Sequence, residues 1–315
     1  MVGAADVIGP RVPSAGFDVV TGAFGYSGAA IAVRLLGAGR PVRTLTNHPE
    51  RAPSGSPVEA APLDFRSATG LVASLRGADT LYNTYWVRFA RGPVNHELAV
   101  ANSVALFRAA ADAGVRRIVH VSITHPDPGS PLPYFSGKAR VEAALAECGV
   151  SHAIVRPSVL FGGDGVLINN IAWLLRRAPV FAVGDGGGYR LRGIHVDDLA
   201  QLCTKLAGTT GNQTVDAVGP DRPTFAHLVR HIKVAVGSRA LIVNVPGAAL
   251  LTLSGALGFA LRDTLLTRDE YRAMAAGLAD TDGEATGTTS MAAWIEQNAD
   301  TLGRTYAHEV RRHFR

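Results

Sequence analysis

Residues 17–28 read FDVVTGAFGYSG, and the fold follows from how this stretch is read. Phe17 to Thr21 is a short run rich in β-branched residues, which favours a strand. Gly22, Gly25 and Gly28 follow, and Ala29 to Leu36 is a run of good helix formers stopped by Gly37 and Gly39. A strand, a glycine-rich turn and a helix in that order build a seat for a pyrophosphate. The glycines let the backbone approach the anion, and the helix N-terminus supplies unpaired N–H groups and a positive dipole end. The spacing is GxxGxxG rather than GxGxxG, so the flanking elements carry the reading. The alternative is a tight strand-to-helix turn with no ligand.

Working outward, the same alternation continues. Val42 to Thr46, Val58 to Leu63, Asp79 to Asn83, Arg117 to Ile123 and His152 to Arg156 read as strands. Leu71 to Leu75, His96 to Ala113 and Lys138 to Cys148 read as helices between them. Strands alternating with helices predict an α/β fold, a Rossmann-like doubly wound parallel sheet with helices on both faces. After Pro157 the pattern changes, to an apolar helix from Val166 to Leu175, a strand from Arg192 to Val196 expected to rejoin the first sheet, and a helix from Asp197 to Ala207. From Thr224 the chain reads as mostly helical. The expected organisation is a leader (1–16), a nucleotide-binding domain (17–160, rejoined by 190–218), and a smaller, partly helical C-terminal lobe (161–189 and 219–315).

Composition excludes several classes. The chain has 315 residues, 47% of them hydrophobic and 18% charged, which is no disordered tail. Its net charge of +5 is scattered, apart from Arg311, Arg312 and Arg315, with no basic stripe carrying interleaved aromatics, so nucleic acid is not the expected partner. Cys148 and Cys203 are far apart and form no CxxC motif, which fits a reducing, cytoplasmic setting rather than a disulfide framework. The leader lacks the basic start and apolar core of a secretory signal.

Which dinucleotide is expected depends on the end of the second strand. An acid there would hold the ribose 2′-hydroxyl of NAD. This sequence has Leu45, Thr46, Asn47 and His48 instead, with Arg43 and Arg51 nearby. The missing acid favours NADP, with NAD still accommodated, although Arg43 is equally well read as a solvated strand residue.

The second signal is YFSGK at 134–138. Tyr134 and Lys138, four apart, share one helix face. A neighbouring ammonium lowers a phenol's pKa, which would let Tyr134 exchange a proton with a carbonyl or alcohol. Ser122, at the end of the fifth strand, is the expected partner for the same oxygen. The predicted catalytic set is Ser122, Tyr134 and Lys138.

At this point the sequence resembles the short-chain dehydrogenase/reductase superfamily, and within it the NAD(P)-dependent epimerase/dehydratase and NmrA-like proteins. The resemblance runs from about Phe17 to Ala207. It rests on TGAFGYSG (21–28), LDF (63–65), GVRRIVHVS (114–122), the Tyr134–Lys138 pair, RPSVLFG (156–162) and IHVDDLA (194–200). INNIAWLL (168–175) and the C-terminal helices resemble the branch related to the NAD(P)H-binding accessory subunit of respiratory NADH dehydrogenase. The resemblance implies a cofactor held by Gly22, Phe24, Gly25, Tyr26 and Gly28, with Arg43 and Asn47 near the ribose of the adenosine half. It places Asp64 and Phe65 beside the adenine, Thr84, Tyr85 and Lys138 at the nicotinamide ribose, and Pro157 to Val159 at the carboxamide. Three departures stand out. Tyr26 and Ser27 replace a bulky apolar pair, Asn47 stands where many NADP-binding relatives carry Arg, and NTYW (83–86) is bulkier than the small residues common there.

The expected function is therefore an NAD(P)-dependent short-chain oxidoreductase or epimerase/dehydratase-type enzyme acting on a small carbonyl or hydroxyl substrate. The accessory-subunit branch also holds cofactor without known turnover, so the alternative is a cofactor-binding scaffold or redox sensor. His227 and His231 have zinc-compatible spacing but no third ligand nearby, so no metal is expected. Asp197 is expected to cap a helix, with Asp198 favouring its dipole. PGAALLTLSGALGFAL (246–261) is too short to span a bilayer. It is expected to be a helix buried in the second lobe or at a subunit interface. The rival reading is a docking surface giving reversible attachment to a protein or to the inner face of a membrane.

Overall fold

The computed structural model describes residues 16–310. The rest of the leader and the Arg311, Arg312 and Arg315 cluster lie outside them. The first half alternates except between β2 and β3, which only a short 3-10 turn at Pro49–Arg51 separates: β1 Phe17–Thr21, α1 Tyr26–Gly37, β2 Val42–Thr46, β3 Glu59–Pro62, α2 Ala68–Leu75, β4 Ala78–Asn83, α3 His96–Asp112, β5 Arg117–Val121, α4 Pro133–Glu147 and β6 Ser151–Pro157. The second half is mixed: β7 Val159–Phe161, α5 Val166–Arg177, β8 Val180–Gly184, β9 Gly193–His195, α6 Val196–Ala207, β10 Gln213–Ala217, α7 Phe225–Ala235, β11 Leu241–Val245, α8 Gly247–Leu261, α9 Arg268–Ala275 and α10 Met291–Gln297.

Seven parallel strands form the central sheet in the order β10-β6-β5-β4-β1-β2-β3. The chain winds outward one way from β1, then crosses back and winds the other way from β4. The order therefore reverses between β1 and β4, and in open α/β sheets ligands bind outside the carboxyl ends of the strands at that point. The two-residue strand period divides the core. Val19, Leu81 and Ile118 point to one face and pack with Leu71, Leu106, Phe107 and Leu145. Val20, Tyr82 and Val119 point to the other and pack with Ile31, Leu35, Leu199 and Cys203. Each fully buried aliphatic side chain contributes roughly 1.5–3 kcal/mol. A third core joins α5, α7 and α10 through Ile168, Ile171, Val229, Ile232 and Ile295.

The structure corrects four expectations. Residues 193–195 do not rejoin the main sheet but pair with Val159–Phe161, and the strand that takes the vacant edge beside β6 is β10. The second lobe is less helical than its sequence suggests, because Leu241–Val245 pairs with Val180–Gly184. The N-cap of α6 is His195 rather than Asp197, its Nδ1 accepting from the Asp197 amide at 3.2 Å, while Asp198 does stand in the first turn, where it favours the dipole, and also accepts from the Thr288 and Thr289 amides, each at 2.8 Å. Finally, α8 is not buried within the second lobe of its own chain, since only Gly247 and Gly258 of its 15 residues are buried. Both glycines sit where a side chain would collide with neighbours, Tyr271 at one end and the Asp263 carbonyl at the other, and the helix between them lies on the surface.

Candidate functional site

The glycine turn is held in shape from two sides. Thr44 on β2 donates to the Val20 carbonyl and accepts from the Ala23 amide, both at 2.9 Å. Thr21 Oγ1 accepts from the Thr84 and Tyr85 amides at 2.7 and 3.1 Å, and Thr84 Oγ1 donates back to the Thr21 carbonyl at 2.6 Å. These bonds lock the end of β1 to the end of β4 and set Thr84 and Tyr85 beside Gly22. Gly22 has φ +67°, which a glycine adopts without strain. At Gly28 a Cβ would lie 2.3 Å from the Gly22 carbonyl oxygen, so only glycine permits this approach of helix to strand.

The first turn of α1 has no side-chain cap and no acidic residue. That leaves a positive helix end facing the cavity, and the turn fits a pyrophosphate. Tyr26 has a definite task, its hydroxyl donating to the Gly162 carbonyl at 2.6 Å and tying the turn to the loop after β7.

One cavity of about 1990 Å³ begins at this turn and runs along the carboxyl edge of the sheet to α8 and α9. Small-molecule pockets are usually ~300–1,000 Å³, so this one has room for a dinucleotide and a second ligand. Of the sequence-predicted residues, Gly22, Phe24, Gly25, Tyr26, Gly28, Asn47, Phe65, Thr84, Tyr85, Tyr134 and Val159 line it. Arg51 and His48 also line it, at the end where Asn47 stands.

Five predicted residues do not line the cavity. Arg43 turns to the sheet's flank, donating to the Ser74 carbonyl at 2.8 Å, pairing with Glu59 at 3.0 Å and covering the Phe17 ring. Strand alternation aims it there, three residues before the strand's carboxyl edge. Asp64 holds Arg66 at 3.0 Å, and that bond lowers the carboxyl pKa. Pro157 is buried in β6, away from the cavity wall. Lys138 and Ser122 are the larger correction.

Lys138 is buried and donates to the Val121 carbonyl at 2.9 Å. The Trp86 ring lies over its ammonium, 4.5 Å away, and presses on Gly137, so Trp86 stands on the cavity side. Burial pulls the Lys138 pKa down to about 7. The Ser122 hydroxyl is also buried and makes no hydrogen bond among the described residues. The bulk at Trp86, visible in the sequence as a departure, lies between Lys138 and the cavity. Below them, Asn83 bonds His120 at 3.0 Å, and burial beside Lys138 holds that imidazole neutral.

Tyr134 does reach the cavity, in an aromatic nest with Trp86 and His96, its ring centroid 5.7 Å from each. Burial raises its phenol pKa, Arg88 acts in the opposite direction, and Glu270 reinforces the rise. The charge that bears on Tyr134 is therefore Arg88 and not Lys138. Arg88 bridges Glu270, at 2.7 Å, and Glu309. Burial opposes that guanidinium's charge, but the two carboxylates outweigh it and hold its pKa above the ordinary arginine value. No motif announces this ion triad, because its members come from separate parts of the chain. The cavity roof is fixed by Thr124, donating to the Leu278 carbonyl at 2.9 Å, and by Ser158, donating to the Ala279 carbonyl at 2.6 Å.

Elsewhere, His231 meets the Ala292 carbonyl at 3.2 Å, and no group of three or more potential metal ligands occurs among the described residues. No helix among them is long and apolar enough to cross a membrane.

Comparison with known proteins agrees with this geometry. The chain is 28% identical over 259 residues to an uncharacterized protein of Mycobacterium tuberculosis, covering 80% of this chain but 27% of that one. It therefore spans about a quarter of that relative's length. It is 26% identical over 210 residues to the mitochondrial NADH-ubiquinone oxidoreductase 40 kDa subunit of Neurospora crassa, 66% of this chain and 55% of the subunit. A 4-hydroxy-2-methyl-3-oxo-4-farnesyl-3,4-dihydroquinoline-1-oxide ketoreductase of Stigmatella aurantiaca is 27% identical over 210 residues, 58% of this chain and 61% of the relative. Among solved structures, triphenylmethane reductase of Citrobacter sp. superposes with a TM-score of 0.76 at 18% identity, covering 90% of this chain and all of that one. The same reductase has also been crystallised with NADP(H). Residues 22–207, more than half of the chain, match the family described as NAD(P)H-binding, and with the glycine turn, the reversed strand order and the cavity between them, this protein belongs to that family.

Proposed function

We propose that this protein is an NAD(P)H-dependent reductase of a carbonyl group carried on a large apolar molecule, with NADP(H) as the preferred dinucleotide. The observation that carries the reading is the continuity of one cavity from the glycine turn, past the Tyr134 hydroxyl, to the leucines of α8. The glycine turn and the start of α1 seat the pyrophosphate, and Phe65 lies against Tyr85 with ring centroids 5.0 Å apart on the wall between the two halves. The reduced dinucleotide, when bound, supplies a hydride for the carbonyl carbon. Tyr134 holds the proton that passes to the carbonyl oxygen as the C=O π bond breaks, and its phenolate then regains a proton from water. The hydroxyl is protonated at neutral pH, the state a donor needs, and Arg88 offsets part of the rise that burial imposes on its pKa. Leu250, Leu253 and Leu257 line the far end and suit an apolar body on the substrate. The farnesylated substrate named for the Stigmatella ketoreductase and the aromatic one named for the Citrobacter reductase support that class.

A second reading, a scaffold that holds the cofactor without turnover, draws on Lys138 lying behind Trp86 and on Ser122 being buried, neither of them lining the cavity. Loss of reduced-nicotinamide absorbance with a panel of aromatic and prenylated ketones and quinones separates the two. Under the reductase reading at least one ketone is consumed, and Tyr134→Phe slows that turnover by ~10²–10⁴ with cofactor affinity kept. Tight NADPH binding with no turnover across the panel supports the scaffold. Turnover that Tyr134→Phe leaves within twofold of the parent rules out Tyr134 as the donor.

A further inference from the structure

We infer that α8 is a docking helix for an anionic bilayer surface, set at the mouth of the cavity. Its 15 residues, GAALLTLSGALGFAL, include no charge. One side faces inward, where Leu250 and Leu257 line the cavity. The other side faces out, with Ala248, Ala256 and Ala260 exposed around Phe259, itself 88% exposed, while Leu253 stands at the cavity rim beside Leu250 and Leu257. An exposed helix face of this length without a single charge marks an interaction site rather than ordinary scatter.

The mooring of the helix fits a surface element. Gly247 is held by its amide donating to Asp185 at 3.0 Å, and Gly258 by its carbonyl accepting from the Asp263 amide at 2.9 Å. Burial is confined to those two ends. Thr252, the polar residue on the outer part, donates its hydroxyl to the Ala248 carbonyl at 3.0 Å, which reduces the cost of leaving water. At 1.5 Å per residue the helix is about 22 Å long, short of a ~30 Å hydrocarbon core, so it suits lying in the interface plane.

Charge complementarity selects a lipid surface as the occupant. Arg262 caps the helix, and Arg268 and Arg272 follow on the next helix, all three exposed, with Asp269 the one exposed acid among them. The chain returns to the same place at Val310, whose amide donates to Asp263 at 2.9 Å. An apolar helix flanked by arginines matches an anionic headgroup layer over hydrocarbon. An apolar molecule dissolved in that layer would meet the cavity mouth without crossing water.

The test is flotation of the purified protein with vesicles of phosphatidylcholine alone or mixed with phosphatidylglycerol. The parent should float with the phosphatidylglycerol vesicles and be released progressively by salt. Phe259→Asp should weaken that binding at least tenfold, Arg262→Asn at least threefold, and both should leave NADPH affinity unchanged. Asn is chosen at 262 because the residue has φ +54°. Ala260→Asp, also at an exposed position, provides a second apolar-to-charged variant if Phe259→Asp does not fold. The inference is overturned if the parent floats with neither vesicle, or if the aspartate variants float as the parent does. A light-scattering mass showing a parent dimer that Phe259→Asp dissociates would also overturn it, since a second copy of the chain would then cover the helix.

Discussion

Replacing Lys138 by Met should make this protein more stable at neutral and acidic pH. The ammonium is buried behind Trp86, and burial takes its pKa from 10.5 to about 7. At 1.36 kcal/mol per pH unit, that drop corresponds to about 5 kcal/mol of folding free energy lost while the lysine is protonated in both states. Methionine keeps most of the length of the stem and carries no charge. Some of the gain is offset, because the Val121 carbonyl loses its donor and Trp86 its cation. Those losses are each ~1–2 kcal/mol, so the expected net gain is about 1–3 kcal/mol at pH 6. The sign of the pH dependence follows from the depressed folded pKa. Between about pH 7 and 10.5 the unfolded state binds more protons than the folded one, so the parent's stability rises with pH across that window. The Lys138→Met profile lacks that rise, and the two curves should cross before pH 10.5, where the neutral lysine keeps the hydrogen bond to Val121 that methionine cannot make. Urea denaturation of both proteins at pH 6, 7.5, 9 and 10 measures this. A variant less stable than the parent at pH 6, or two parallel profiles, would refute the reasoning, and would mean that the ammonium is stabilised where it lies. NADPH affinity is a second check, because a lysine shielded from the cavity can be removed with less than threefold change in Kd.

Three further outcomes follow from particular contacts. Gly28→Ala should destabilise the fold by about 1–3 kcal/mol and weaken NADPH binding more than tenfold, because its Cβ would meet the Gly22 carbonyl oxygen at 2.3 Å; calorimetric titration beside a denaturation curve checks both. Arg51→Glu should weaken NADPH at least tenfold while changing NADH by less than threefold, since Arg51 lines the Asn47 end of the cavity, where a 2′-phosphate would sit; competitive titration of the two dinucleotides reads the ratio. Arg88→Met should cost roughly 3–5 kcal/mol, because it leaves Glu270 and the buried Glu309 facing each other without a cation, and a fall in melting temperature that shrinks on acidification is the expected signature.

The sequence by itself determined the parts whose physics is local. A β-branched run before Gly22, Gly25 and Gly28, with helix formers after them, can form few structures other than a strand–turn–helix unit. The regular alternation beyond it implies a parallel sheet, because parallel strands need crossovers. The cofactor end of the cavity was legible for the same reason, since backbone geometry at a turn is written in its glycines. Tyr134 was legible as a residue with access to that cavity. What only the tertiary structure decided are the relations between distant segments. Tyr134 and Lys138 share one helix, and their spacing suggests a working pair. Trp86, whose ring lies over Lys138 and edge-on to Tyr134, comes from just beyond β4 and carries no periodic mark pointing at α4. The Arg88–Glu270–Glu309 triad has the same character, joining residues whose separation along the chain gives no signal. Strand partners were undecidable too, because Gly193–His195 and Gln213–Ala217 offer similar short runs, and the vacant edge beside β6 selects between them. The place of α8 was hidden because its composition suits a core as well as a surface. Burial depends on what a neighbouring element covers, and here only the glycines at its two ends are covered.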